Sequence, residues 1–457
     1  MKVFDLQGNG TNFIAEILAG ITTFITMSYL LVQCPAMLSG DLVSAPTLYI
    51  AICLTCCVGC LAMGFWARQP FVVGPSIGLF AYFSSVLMTD MKYDYSQALA
   101  VVFLASVVFV VLSLTGFGGI IYSSIPGGLK NGISAGLGLY IALIGLKNSG
   151  FLVTSENGSF SLADLSDYNL QLFNVLIMFA GVIIIGLLKK FGLPFPTLLG
   201  LVASCALYYG VGIYLIRVVD KSALHFQLGG FNENFGAWYG EGFLKSLTTG
   251  IGGVLGGLTL DVKAILTFII TIIVSALFNA TESTGVIYAI AKNNGKLDDN
   301  GNFGALKTSL SSNSIASVTG SLMGCPMVAV APESAAGFSA QGKSGLTAVT
   351  AGVLFLLASF FAPVATFIPA SVTSCILVYL GVNMMGAVKD VDFGNIGDSV
   401  PALLIIVLIP FTSSIVDGIA LGIILHIVIN LLMLNFKAIK PLEAVIAVLF
   451  GISYFYI

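Results

Sequence analysis

Apolar runs long enough to cross a lipid bilayer recur from one end of this chain to the other, and they dictate nearly everything it can fold into. A helix spanning a hydrocarbon core of about 30 Å needs about 20 mostly apolar residues, because in lipid every backbone N–H and C=O must be paired within the segment. Such segments lie near 13–34, 47–66, 71–88, 97–116, 129–146, 171–188, 195–215, 262–291, 304–324, 326–341, 345–368, 370–387, 400–416 and 418–436, fourteen in all. A further apolar stretch, 441–457, is open between an extra span and an interfacial helix. Only 9% of the 457 residues are charged and 57% are hydrophobic, with a mean hydropathy of +1.02, where a soluble domain has about 25% charged residues. The expectation is an all-α polytopic membrane protein.

The polar opening MKVFDLQGNGTN has no apolar core followed by small residues, so the first apolar segment, rather than a cleaved signal, is expected to direct insertion. With the N-terminus cytoplasmic, alternation places Lys2, Arg68, Lys130, Lys189, Lys190, Lys292, Lys296, Lys307, Lys343, Lys389, Lys437 and Lys440 inside. The other side keeps Lys92 and Lys147 in short loops, plus Arg217, Lys221, Lys245 and Lys263 in a connecting loop at 216–261. That bias fits the positive-inside rule and a cell-membrane protein. The outward loops are acidic, with Asp41, Asp90, Asp94, Glu156, Asp164 and Asp167. Net charge is −3 with no long basic run, which gives a nucleic-acid partner no electrostatic footing.

Two segments are too short or too broken for ordinary spans. FVVGPSIGLFAYF (71–83) and MVAVAPESAAGFSA (327–340) each run from a β-prone stretch through a proline into a helix-capable stretch of small residues. Val73-Gly74-Pro75-Ser76 aligns with Val330-Ala331-Pro332 and then Glu333-Ser334, and Pro332 lies 257 residues after Pro75. Each is the third member of a seven-segment half. An odd number of spans per half forces the two halves to enter the membrane in opposite senses. Paired interruptions of this kind mark the binding site of inverted-repeat transporters, since broken backbone at membrane depth must line a cavity or be buried in protein. Proline suits the first turn of a helix, so Pro75 and Pro332 are expected to start half-helices whose N-termini face the centre. Simply kinked spans are the plainer reading; the matched positions argue against it.

Most of the 21 acidic residues fall in loops or at segment ends, Glu16, Asp261, Asp417 and Glu443 among them. Glu282, in FNATESTGVI, and Glu333 fall inside segments. A carboxylate at mid-helix costs about 2.5–3.5 kcal/mol on insertion scales, and its usual role is to meet a substrate, an ion or a proton. The alternative is a purely structural pairing with Asn279, Ser283, Thr284 and Ser334.

ESTG in segment eight, PESAAG in segment ten and VGPSIGLFAYF in segment three resemble the nucleobase:cation symporter-2 family, which gathers the nucleobase–ascorbate and AzgA-type permeases. EILAGITTFITMSYLLVQCPAML (16–38), ISAGLGLYIALIGLKNSG (133–150), SGLTAVTAGVLFLLASFFAPV (344–364) and IPFTSSIVDGIALG (409–422) resemble its AzgA-like purine permease branch. The resemblance runs over nearly the whole chain. It implies two inverted seven-span repeats with short strands in segments 3 and 10, a core domain from 1–120 and 262–368, and a gate domain from 121–215 and 369–457. It further implies that Glu282 and Glu333 hydrogen-bond the base, that Glu282 couples a proton (sodium being the lesser option), and that backbone at Gly74, Ser76, Ala331 and Pro332 completes the pocket. Relatives often dimerise through the gate. One departure stands out. The AzgA branch usually has aspartate in an FDT motif where this chain has Glu282, and ESTG is nearer the uracil–xanthine branch, so adenine, guanine, hypoxanthine, xanthine, uric acid and uracil all stay open.

The chemistry fits apart from the name. A nucleobase presents adjacent N–H and carbonyl groups, which a carboxylate accepts from when ionised and donates to when protonated. Tyr29, Phe80 or Tyr82 could stack on its ring, and Asn279, one turn before Glu282, shares its face. Ser334 follows Glu333 directly. No cofactor or metal is called for: Cys53, Cys56, Cys57 and Cys60 lie in an apolar span, where cysteine is a packing residue. His426 has two readings, a proton relay or a packed histidine; GIGGVLGGL (250–258) suits close helix contacts and a flexible connection. The rival functions are an anion carrier of the same fold, opposed by two carboxylates at the site, and an intramembrane aspartyl protease, which would need a close Asp pair within the spans.

Overall fold

The apolar segments fold as helices, and their ends follow local chemistry. The computed structural model describes residues 4–38, 45–116, 126–154, 160–163, 170–193, 196–218, 243–257, 265–298, 303–360, 369–412, 415–436, 438–441, 443–445, 447–448 and 451. In chain order the elements are α1 (Phe13–Met27), α2 (Leu30–Leu38), α3 (Ala45–Ala62), β1 (Val73–Pro75), α4 (Ile77–Tyr82), α5 (Tyr95–Thr115), α6 (Gly127–Asn148), β2 (Leu152–Thr154), β3 (Phe160–Leu162), α7 (Leu170–Lys190) and α8 (Pro196–Val218). The second half continues with α9 (Phe243–Gly257), α10 (Ile265–Asn293), α11 (Leu306–Leu322), β4 (Val328–Val330), α12 (Ser334–Ser339), α13 (Gly345–Ala358), α14 (Ala370–Met385), α15 (Ile396–Thr412) and α16 (Ile415–Leu432). Turns of π-helix extend α3 over Met63–Ala67 and α4 over Phe83–Asp90. Asn12 caps α1, its side chain accepting from Ala15 N at 2.8 Å, and Asp94 and Gln97 form a capping box at α5, each pairing N–H groups that a helix start leaves over.

Among the described residues six helical stretches are long and apolar enough to cross a membrane, Tyr95–Thr115 and Gln171–Lys190 among them. Leu176, Phe179, Ile183 and Leu187 are exposed along α7. Their three- and four-residue spacing makes one apolar stripe, which lipid, not water, would solvate.

Helices pack in two sets that mirror each other. In one set α1 packs on α13 as α10 packs on α5, and α3 on α13 as α11 on α5. In the other, α6 packs on α15 as α14 on α7, α7 on α8 as α15 on α16, and α8 on α14 as α16 on α6. Every pair becomes its counterpart when first-half helices are exchanged for second-half ones. The sets meet where α2 touches α14, α4 touches α6 and α1 touches α8. Side-chain bonds respect the alternation of spans. Lys343 Nζ donates to Gly10 O and Lys296 Nζ to Lys343 O, both at 3.4 Å, gathering three loops at one end. Tyr49 donates to Ala358 O at 3.1 Å and Tyr95 to Gly324 O at 2.7 Å, among loops assigned to the opposite end.

At the pseudo-two-fold, β1 pairs antiparallel with β4, Val73 opposite Val330, Gly74 opposite Ala329 and Pro75 opposite Val328. Ala331 N extends the ladder to Val72 O at 2.9 Å. The sequence alignment sets Val73 against Val330 and Gly74 against Ala331, so the Val73–Val330 pair lies on the two-fold, and Gly74 opposite Ala329 is matched by Ala331 against Val72. The prolines differ from expectation. Pro75 is the last residue of its strand and Pro332 lies in the turn before α12; neither is the first residue of its half-helix. A strand-end proline is tolerated because the ladder asks no N–H of it.

Glu16 is fully buried in α1. Its carboxylate accepts from Lys343 N at 2.8 Å, Ser344 N at 3.1 Å, Thr347 N at 3.2 Å and Thr347 Oγ1 at 2.6 Å. Those donors belong to the approach and first turn of α13, where a negative charge also meets the positive end of the helix dipole.

The stretch 216–261, read as a connecting loop, is helical where it is described, in the end of α8 and in α9; residues 219–242 and 258–261 lie outside the description. Gly250 of α9 makes one of the close helix contacts expected of this run: a Cβ there would come within 2.3 Å of Gly324 N and Leu322 O. Most of 441–457 also lies outside the described residues. Glu443 there is buried, 2.6 Å from His426 Nδ1, while His426 Nε2 is 3.2 Å from Asp398 Oδ1. His426 is thus a packed histidine that ties α15, α16 and the C-terminal segment together, apart from the cavity described next.

Candidate functional site

Two half-helices start where the strands end. Ser76 caps α4, its Oγ accepting from Leu79 N at 3.3 Å, and the same hydroxyl donates to Glu282 Oε1 on α10. One hydroxyl can do both, having one proton and two lone pairs. On the other strand the chain turns through Pro332 and Glu333 into α12. Glu333 holds the cap position with φ −61° but makes no cap bond. Its carboxylate instead accepts from the Tyr29 hydroxyl, Oε1 lying 2.7 Å away.

Each carboxylate therefore has one oxygen engaged by a hydroxyl. The other, Glu282 Oε2 and Glu333 Oε2, is buried without a partner. Both residues line a cavity of about 290 Å³. Ser76, Ala331, Pro332 and Tyr29 complete its polar side, and Ile141 of α6 with Leu380, Asn383 and Met384 of α14 form the facing wall. A mostly apolar cleft with a few convergent polar groups is the usual form of a small-molecule site. Two glycines let the wall helices meet: a Cβ on Gly381 would lie 2.4 Å from Gly138 O, and one on Gly138 2.7 Å from Gly381 O.

Six of the residues expected from sequence come together here: Tyr29, Ser76, Glu282, Ala331, Pro332 and Glu333. Four do not line the cavity. Gly74 lies in the ladder opposite Ala329, with the Met27 methyl 2.2 Å from where a Cβ would stand. Phe80 is fully buried in α4, outside the residues that line the cavity. Ser334 Oγ accepts from Val72 N at 3.0 Å and fastens α12 to the first repeat. Asn279 turns toward α11, where its Oδ1 accepts from Asn313 Nδ2 at 3.1 Å and Ser283 Oγ at 3.3 Å and its Nδ2 donates to Ser317 Oγ at 3.1 Å. Ser317 in turn donates to Val328 O at 3.1 Å and Ser283 accepts from Val330 N at 3.4 Å. That network holds β4 from behind. The whole wall from α6 and α14 was missed by sequence reading; Asn383, a lone amide in LVYLGVNMMG, was its one visible signal. Tyr82, the other stacking candidate, is buried and bonded to Ser275 at 2.8 Å.

Residues 14–421 match the model of the Permease family. The chain belongs to the Permease family. This permease is 30% identical over 454 residues to the adenine permease AdeQ of Escherichia coli (strain K12), covering 99% of the chain and 95% of AdeQ. It is 31% identical over 460 residues to the guanine/hypoxanthine permease PbuO of Bacillus subtilis (strain 168), covering 99% of the chain and all of PbuO. Its fold is like that of the transmembrane domain of a cyanobacterium bicarbonate transporter, BicA, with a TM-score of 0.61 at 14% identity, over 90% of this chain and 97% of that one. As a permease with several spanning helices it is a multi-pass membrane protein of the inverted-repeat fold.

Proposed function

We propose that this permease imports a nucleobase across the cell membrane together with a proton, with its N-terminus in the cytoplasm. The observation that carries the reading is the pair of unpartnered carboxylate oxygens, Glu282 Oε2 and Glu333 Oε2, facing one cavity. Each wants a donor, because a buried acceptor without one forfeits its desolvation cost. A purine supplies a ring N–H to one of them, and a proton on Glu282 turns the other into a donor to a ring nitrogen or carbonyl of the base. Base and proton then satisfy the site together, and either alone leaves one oxygen bare. That is the thermodynamic content of symport at this site. Glu333, steadied by Tyr29, anchors the base. The curated relatives support the substrate class, since their printed names are adenine and guanine/hypoxanthine permeases.

Residues 1–120 with 262–368 act as the core and 121–215 with 369–457 as the gate in this reading, the cavity lying between them. Transport is then a shift of one set of helices against the other across the few contacts that join them. Lys189, assigned to the cytoplasmic side by sequence, reaches Asn383 at 3.1 Å, which supports an inward-facing arrangement. An anion carrier is the weaker reading: two carboxylates line the cavity, and no Lys or Arg does among its described lining residues.

Uptake of labelled hypoxanthine and adenine into proteoliposomes, with and without an inward proton gradient, tests the proposal. Accumulation that follows the gradient supports it; uptake of neither base, or accumulation driven by sodium alone, overturns it.

A further inference from the structure

The cavity has acceptors on one side, and the opposite wall decides what else it reads. Of the described lining residues from α6 and α14, Asn383 is the polar one, beside Ile141, Leu380 and Met384. Its amide is oriented. Lys189, in the last turn of α7, places Nζ 3.1 Å from Asn383 Oδ1. An ammonium has donors only, so in this exposed pair the oxygen faces it and the NH2 end is turned away from Lys189, on a residue that lines the cavity. Lys189 is steadied in turn by the Tyr379 ring, its Nζ 5.6 Å from the centroid. Tyr379 is one turn before Asn383 on α14, so one lysine grips two consecutive turns of the wall.

We propose that Asn383 is a specificity-determining residue whose amide N–H donates to an acceptor on the base edge opposite the carboxylates, with Lys189 as its positioning residue. The assignment rests on the nucleobase reading above and deepens it by naming the substrate class. A donor on that wall fits a carbonyl. A 6-oxopurine, with the carbonyl of hypoxanthine or guanine, pairs with it; a 6-aminopurine turns a second donor toward it and leaves both unpaired. Sites built to meet a polar group reject analogues that cannot supply it far more strongly than apolar pockets reject an extra group.

The test is competition in proteoliposomes of the full chain, with labelled hypoxanthine as tracer and unlabelled hypoxanthine, guanine and adenine as competitors. Wild type is expected to favour the two oxopurines over adenine by at least about tenfold. Asn383→Leu should reduce that ratio to within about threefold, and Asn383→Asp, which can only accept, should move it toward adenine. Lys189→Met should lower the ratio in the same direction by freeing the amide to turn over, and Lys189→Arg should retain it. A merely structural role for either residue would change uptake of all three bases alike and leave the ratio untouched. The ratio is also readable as ligand-induced thermal stabilisation in detergent, and if Asn383→Leu fails to fold, Lys189→Met carries the test. Wild type without oxopurine preference, or an unchanged ratio in Asn383→Leu or Lys189→Met, overturns the assignment. Transport of no base by wild type instead overturns the nucleobase reading on which it rests.

Discussion

Glu16 and Glu333 both set a carboxylate at the start of a helix in the second repeat, and they are handled in opposite ways. Glu16 reaches across from α1 and collects four donors, three of them backbone N–H groups of the α13 approach and first turn. Glu333 stands at the start of α12, takes one phenol, and leaves its second oxygen bare, as Glu282 does after accepting from Ser76. A saturated carboxylate joins two helices. An unsaturated one beside a cavity waits for a ligand. What separates the two carboxylates here is therefore the count of donors, not charge.

That contrast can be broken at either end. Glu282→Gln and Glu333→Gln are expected to give the largest effects: uptake falling about 10- to 100-fold, from the loss of a charge-assisted bond to the base, with the melting midpoint in detergent unchanged or raised. Reduced stability with normal uptake per folded molecule would erase the distinction. Glu16→Gln should do the reverse, costing about 2 kcal/mol because the amide leaves backbone N–H groups of the α13 start unpaired; base affinity of the folded protein should hold. Asn279→Ala sharpens the boundary between the site and its support. It should destabilise by about 1–2 kcal/mol, since two donors from α10 and α11 lose their acceptor, while the ranking of competing bases stays as in wild type. Tyr29→Phe is the mildest: base affinity about three- to tenfold weaker, the worth of one hydrogen bond that steadies Glu333. No change in Tyr29→Phe would mean that Glu333 is placed by its backbone alone.

Much of this was legible in the sequence, for stated physical reasons. Lipid-length apolar runs and the two interrupted stretches showed the helical class and the strand pair, because backbone at membrane depth has so few options. The two acidic residues pointed to the candidate site, because charge in such a chain is costly. What the sequence left unread is what depends on facing. Asn279 lies three residues from Glu282, close enough to be placed on the same face, yet the serine-rich α11, with Asn313 and Ser317, draws it to the other side. The polarity of TSLSSNSIASVTGSL was the available hint that some neighbour must answer it. Ser334 likewise pairs backwards into Val72. The wall of α6 and α14 is almost wholly apolar, and nothing in an apolar periodicity distinguishes a side turned to lipid from one turned to a substrate.

The strand pair also has a consequence in time. Val72 and Ser334, bonded across the pair, are 262 residues apart, so most of the chain must be made and inserted before this contact can close. Contacts of such long sequence separation are slow to form. Until β4 arrives, β1 is an unpaired edge at membrane depth, and Ser76 waits without Glu282. The candidate site therefore closes late in biogenesis, and a chain stalled before residue 328 would hold an inserted first half whose strand has no partner.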